Sequence, residues 1–186
     1  DVCSSDLGCG GIGLSSLLIA SALGARTIGI DIDEQKLQLA LSLGATSTLN
    51  ARSVKDIPEA IRQITSGGAD LSIDALGSRE TCRNSILSLR KQGKHIQLGL
   101  LIGTEADPPL PMSAVIGREL QIIGSHGMQA HQYPGIFSLI EQGRLDLKRL
   151  IGQVVTLEQG IHELENLNSF SQNGITIISF EKVDNY

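Results

Sequence analysis

The chain has 186 residues, 41% apolar and 19% charged, enough apolar matter for a sizeable core and against global disorder. Its net charge is −5 with no stripe of Lys and Arg, which argues against nucleic acid as a partner. No apolar run approaches the roughly 20 residues of a membrane span, no signal peptide is visible, and three unpatterned cysteines point to a reducing, cytoplasmic setting.

The first thirteen residues fall into two unlike parts. Gly8-Cys9-Gly10-Gly11-Ile12-Gly13 fits the pattern G-x-G-x-x-G, which normally follows a buried strand rich in Val and Ile. The seven residues before it, DVCSSDL, carry two Asp and two Ser instead. After the loop, Leu14, Leu17, Leu18 and Ala22 share one helical face that ends near Gly24. RTIGID (26–31) reads as a strand, 33–44 as a helix stopped by Gly44, and 46–50 as a weak strand. Ile57, Ile61 and Ile64 mark a helix closed by SGG at 66–68, and 70–77 a strand. Cys82, Ile86 and Leu89 mark a helix ended by KQGK, followed by a strand at 95–101. A short helix near 112–118, a strand at 120–125 and a helix at 133–144 complete this rhythm. Beyond them, GQVVTL and GITIISF (174–180) read as strands around a helix near Ile161 and Leu164, and the terminal EKVDNY as a frayed end.

Strands alternating with helices at this spacing predict an α/β fold, a doubly wound parallel sheet covered on both faces. In such a fold the glycine loop opens a helix whose unpaired N–H groups and partial positive charge receive a pyrophosphate. Gly8 permits the tight turn, Gly10 the close approach of backbone to phosphate, and Gly13 the packing of helix on strand. Asp31 ends the second strand, where an acidic side chain meets the adenosine ribose of a dinucleotide; Asp33 is the better candidate for capping the next helix. Lys36 could reach the same ribose or lie solvated. Cys9 reads as small loop filler rather than a reactive thiol. Ser125 and His126 follow the sixth strand at the edge where ligands of such sheets bind, His126 either lining the cleft or carrying a proton. His95, His131 and His162 read as surface or packing residues. Asp70 and Asp74 resemble a carboxylate pair but are expected to cap the strand and line the cleft. Neither C-x-x-C nor H-E-x-x-H occurs, so spacing gives no metal site.

GCGGIGLSSLLIASALGA, IGIDIDEQKLQLALSLGAT, GGADLSIDALG, LRKQGKHIQLGL and QIIGSHGM succeed one another as in the zinc-dependent alcohol dehydrogenases of the medium-chain dehydrogenase/reductase superfamily. LIEQGRLDLKRLIGQVVTLEQGIHELENL resembles that family's return segment, which re-enters the catalytic domain. The resemblance, over about residues 8–180, implies a Rossmann domain at 8–145 and an incomplete return segment at 146–186. It implies hydride transfer between a small alcohol or carbonyl and NAD, in a homo-oligomer. Gly8, Gly10, Gly11 and Ile12, with Gly13, would hold the pyrophosphate, and Asp31 and Lys36 the adenosine ribose. Ala75 and Leu76 would line the cofactor's other ribose, Leu98, Gly99 and Leu100 the nicotinamide, and Ser125 with His126 the next backbone contact. Many members place an Arg in the final strand to meet the pyrophosphate; the corresponding slot here is Ile175.

The family's zinc ligands and proton relay precede the glycine loop and have no counterpart here, so no catalytic or metal residue is assigned to this chain. Cofactor binding without alcohol turnover is expected of it. Residues 1–7 resemble a common sequencing-library adapter in translation and are expected to be non-native, a scar excluded from fold reasoning; the alternative is a genuine but unusual first strand, and Val2 and Leu7 offer enough apolar surface for the segment to lie in the strand slot either way. Alternatives are a zinc-free quinone or enoyl reductase of the same superfamily, a non-catalytic nucleotide-sensing domain, and a methyltransferase. Asp31 counts against the first, because those enzymes commonly use NADPH.

Overall fold

A computed structural model describes residues 2–166 and 172–180. Strands β1 (Cys3–Leu7), β2 (Arg26–Asp31), β3 (Ser47–Asn50), β4 (Ala69–Asp74), β5 (Leu89–Gln97) and β6 (Gln121–Gly124) form one parallel sheet in the order β3-β2-β1-β4-β5-β6. Helices α1 (Gly11–Ala22), α2 (Glu34–Ser42), α3 (Ile57–Thr65), α4 (Arg79–Leu87), α5 (Met112–Gly117) and α6 (Tyr133–Glu141) connect and cover it. Then β7 (Ile151–Val155), α7 (Leu157–Glu165) and β8 (Ile175–Ile178) follow, β7 and β8 pairing parallel as a separate two-stranded sheet. The order reverses between β1 and β4, and the crevice at the carboxyl ends of these strands is the switch point of a doubly wound fold. The terminal EKVDNY, expected to fray, lies outside the described residues.

One layer buries Leu14, Leu17 and Leu18 of α1 against Leu37, Ala40 and Leu43, with Leu145 and Leu150 closing it. Arg144 donates to Ala22 O at 2.7 Å, and Arg149 donates to Ser42 O, so the segment after α6 caps the carbonyl ends of α1 and α2. The opposite layer packs Cys3, Leu7, Ile28 and Ile30 against Ile57 and Ile61 of α3. Local signals set the boundaries. Asp56 caps α3, Ser66 ends it at φ 57°, and Ser78 with Thr81 forms a capping box on α4.

Two expectations are corrected. Helix α4 stops at Leu87, and KQGK lies inside β5, which begins at Leu89 rather than 95. The early part of β5 lies at the amino rim of the sheet, where Arg90, Lys91, Gln92 and Lys94 are exposed, so composition conceals a strand there. A register shift opposite Ala69 and Leu71, with Gln92 at φ 59°, adds a bulge that breaks the alternation. Strand β4 ends at Asp74 rather than 77, because the Asp74 carboxylate accepts from Leu76 N and Gly77 N and turns the chain. Residues 3–7 take the first-strand slot of the sheet, as the apolar Val2 and Leu7 allow. They are its buried central strand, pairing Cys3–Leu7 with Arg26–Ile30 on one side and Ser4–Leu7 with Leu71–Asp74 on the other.

Candidate functional site

The glycine loop leaves β1 at the switch point. Gly8 has φ +97°, and a Cβ there would stand 3.1 Å from Leu76 Cβ. A Cβ on Gly13 would lie 1.9 Å from Gly8 O, so only glycine lets α1 press this closely on the turn. A Cβ on Gly10, by contrast, would meet nothing within 4 Å. Gly10 is the N-cap of α1 and supplies no side-chain cap. The first-turn N–H groups at Gly11, Ile12 and Gly13 therefore face an open cradle beside the exposed Ile12.

Asp31 is tied to that cradle. Its Oδ2 accepts from Cys9 N at 2.7 Å, and its Oδ1 accepts from Ile32 N and Asp33 N at 2.8 and 3.0 Å. These bonds fix the carboxylate at the end of β2 and leave about one of its four acceptor sites open. Asp33, not Asp31, caps α2, accepting from Gln35 N. Lys36 is buried on α2, close enough for its charge to act on the Cys9 thiol. Cys9 itself is buried, and burial, with the Asp31 and Asp6 carboxylates adding, pushes its thiol up to about 12. Such a thiol is a packing group at neutral pH.

The ends of β4 and β5 lie on the other side of the crevice. Ala75, half-buried, and Leu76, exposed, follow β4; Leu98, Gly99 and Leu100 follow β5. Ser125 N donates to Gln97 O at 3.1 Å, prolonging the β5–β6 ladder, and Ser125 and His126 are both exposed. Ile175 Cγ1 lies 3.6 Å from the Cβ position of Gly11, so an apolar side chain stands beside the start of α1 where the family resemblance would place an Arg. A cavity of about 320 Å³ opens there, between Gly11, Ile175 and Leu164.

The family described as zinc-binding dehydrogenase matches residues 11–142. The chain belongs to that family. It is 34% identical over 171 residues to the NAD-dependent alcohol dehydrogenase of Sulfurisphaera tokodaii, covering 91% of this chain and 48% of that protein. The NAD-dependent alcohol dehydrogenase of Saccharolobus solfataricus is 33% identical over the same shares. A crystal structure of an NAD-dependent alcohol dehydrogenase superposes with a TM-score of 0.85 at 27% identity, over 97% of this chain and 51% of that one. The chain thus spans about half the length of the relatives it matches.

Among the described residues, no group of three or more His, Cys, Asp or Glu could hold a metal ion. The described residues do not fit zinc. Asp70 and Asp74 are not a pair. Asp70 sits at the amino end of β4, bonded to Cys3 N and Arg90, while Asp74 is buried at the carboxyl end. His131 and His162 are exposed, but His95 is buried and hydrogen-bonded to Ser85. The sequence singled out Asp74 at the cleft, but neither Gly77 nor Gln97. Gly77 had a local signal: it has φ +88°, a conformation that follows naturally from the G in DALG after a strand. Gln97 had none, since its partner lies 23 residues away.

Proposed function

We propose that this chain is the NAD(H)-binding part of a dehydrogenase that moves hydride between a small alcohol or carbonyl compound and the cofactor. The observation that carries this reading is the bond from Cys9 N to Asp31, which joins a phosphate cradle to a ribose-directed carboxylate in one preorganised unit. The family membership and the NAD-dependent relatives support it. In this reading Gly8, Gly10, Gly11, Ile12 and Gly13 hold the pyrophosphate through backbone N–H groups and close approach. Asp31 accepts from the adenosine ribose, with Lys36 behind it. Ala75 and Leu76 line the second ribose, and Leu98, Gly99, Leu100 and Ser125 flank the nicotinamide. When bound there, the nicotinamide supplies a hydride acceptor. The chain's own residues bind, orient and shield it. The substrate pocket, the metal chemistry and any assembly into an oligomer belong to the whole protein in this proposal.

Asp31 also selects between cofactors. A 2′-phosphate carries up to about two negative charges. At about 4 Å and an effective dielectric near 20, each unit charge is repelled by the carboxylate by roughly 4 kcal/mol before screening. Loss of the hydroxyl bond adds about 1.5 kcal/mol. Water and side-chain movement relieve much of this, leaving an expected preference for NADH of about 2–4 kcal/mol, or roughly 30- to 1000-fold. Titration calorimetry with NADH and NADPH tests it. Asp31→Ala should weaken NADH binding and narrow the gap. Equal affinities in the wild type would show that Asp31 does not face a ribose.

A further inference from the structure

Buried polar side chains gather between α4 and the ends of β4 and β5. Ser85 Oγ lies 2.8 Å from His95 Nδ1, and His95 Nε2 lies 3.2 Å from Gln97 Oε1. Gln97 Nε2 donates to Asp74 Oδ2 at 2.7 Å and to Gly99 O at 2.9 Å. Asp74 Oδ1 accepts from Leu76 N and Gly77 N, each at 3.0 Å. The directions follow from the partners. The Gln97 amide nitrogen faces two acceptors, so its oxygen faces His95. His95 then carries its proton on Nε2 and accepts from Ser85 on Nδ1. Burial lowers the His95 pKa, which favours this neutral form.

The backbone repeats the same join. Leu98 N and Gly99 N both donate to Asp74 O, at 3.0 and 2.8 Å. A Cβ on Gly77 would lie 2.4 Å from Leu100 O, and one on Gly99 would lie 2.3 Å from Gly77 N. Loops 75–77 and 98–100 are therefore pressed together with no room for a side chain between them. The Asp74 carboxylate bonds directly to one loop and, through Gln97, reaches the other. Leu76 in turn touches the Gly8 turn, where a glycine Cβ would stand 3.1 Å from Leu76 Cβ.

We propose that Asp74 and Gln97 are positioning residues for the nicotinamide half of the cofactor, holding loops 75–77 and 98–100 as one wall of the cleft. This rests on the cofactor reading above. The bridge stands at the carboxyl rim of β4 and β5, across the switch point from Asp31, so it serves one mononucleotide half and not the other. General loss of stability would weaken both halves.

The test titrates the full chain with NADH and with AMP, which carries the adenosine half alone. The variants are Gln97→Met, Asp74→Asn and the two together, each checked for cooperative melting. Gln97→Met keeps the length of the side chain and removes its donor. It is expected to weaken NADH about tenfold and to change AMP binding by less than about twofold, the scale of one charge-assisted bond. The double variant should bind NADH like Asp74→Asn alone, because both single changes break one bridge. If Asp74→Asn does not fold, Gln97→Met decides alone. A folded Gln97→Met with unchanged NADH affinity, or with equal losses for AMP and NADH, overturns the inference and leaves the cofactor reading standing. A wild-type chain that binds neither compound overturns both.

Discussion

Asp6 is costly to the fold. Its carboxyl is buried in β1 with no partner for either oxygen, and the neighbouring Ser4 and Ser5 hydroxyls are also unpartnered. Burial alone pushes the Asp6 carboxyl up to about 7, from an ordinary 3.8. Between those values the folded chain keeps a proton that the unfolded chain has released. Stability is therefore fully present below the lower value and falls as pH rises through the upper one, by about 4 kcal/mol in all. Asp6→Val removes the carboxyl and puts a β-branched side chain into a central strand. Thermal unfolding from pH 5 to 8 should show the wild type losing stability with rising pH, while Asp6→Val melts higher and with a flatter dependence. Parallel curves for the two proteins would mean that Asp6 is solvated or paired in solution.

At the level of elements, β1 is the outlier. Every other strand of the large sheet contains at least one β-branched residue, whereas CSSDL contains none. It is nevertheless the strand paired on both sides at the centre. Register explains how it is held: its backbone completes both ladders, and Cys3 and Leu7 still face Ile28, Ile30 and Ile61. The resemblance of residues 1–7 to adapter sequence predicts a definite outcome. Resequencing the locus from an independent template should return an apolar, β-branched run at positions 3–7. Recovery of the same codons would establish DVCSSDL as native.

The remaining elements show what a sequence discloses. Helices α1, α2 and α3 announce themselves through apolar spacing and caps, and β2 through RTIGID. The glycine loop and Asp31 were legible because their chemistry is local: a turn, a helix start, an acid at a strand end. The first half of β5 was hidden because a rim strand with solvent on both faces keeps no apolar alternation. The Asp74–Gln97 bridge was hidden because it exists only once β4 and β5 lie side by side. His95, read as a surface or packing residue, is a buried packing residue, but its partners Ser85 and Gln97 come from different elements and left no local signal.

For the molecule as a whole, the sheet delivers four strand ends to one crevice: β2 with Asp31, β1 with the glycine loop, and β4 and β5 with their joined loops. Residues from β7, α7 and β8 return to this rim, where Asn173 donates to Gln35 and Ile175 stands over Gly11. The same elements expose the large apolar side chains of Ile151, Val154, Leu157, Ile161, Leu164 and Ile177. Among the described residues no helix is long and apolar enough to cross a membrane. The central claim is that a dinucleotide lies across this crevice with its pyrophosphate on the start of α1. Amide chemical-shift mapping during an NADH titration tests it directly. The largest shifts should fall on Gly10 to Gly13, on Asp31 and Ile32, and on Leu76, Gly77 and Gly99. Shifts confined to the opposite rim of the sheet, around Arg26, Gly67 and Arg90, would contradict it.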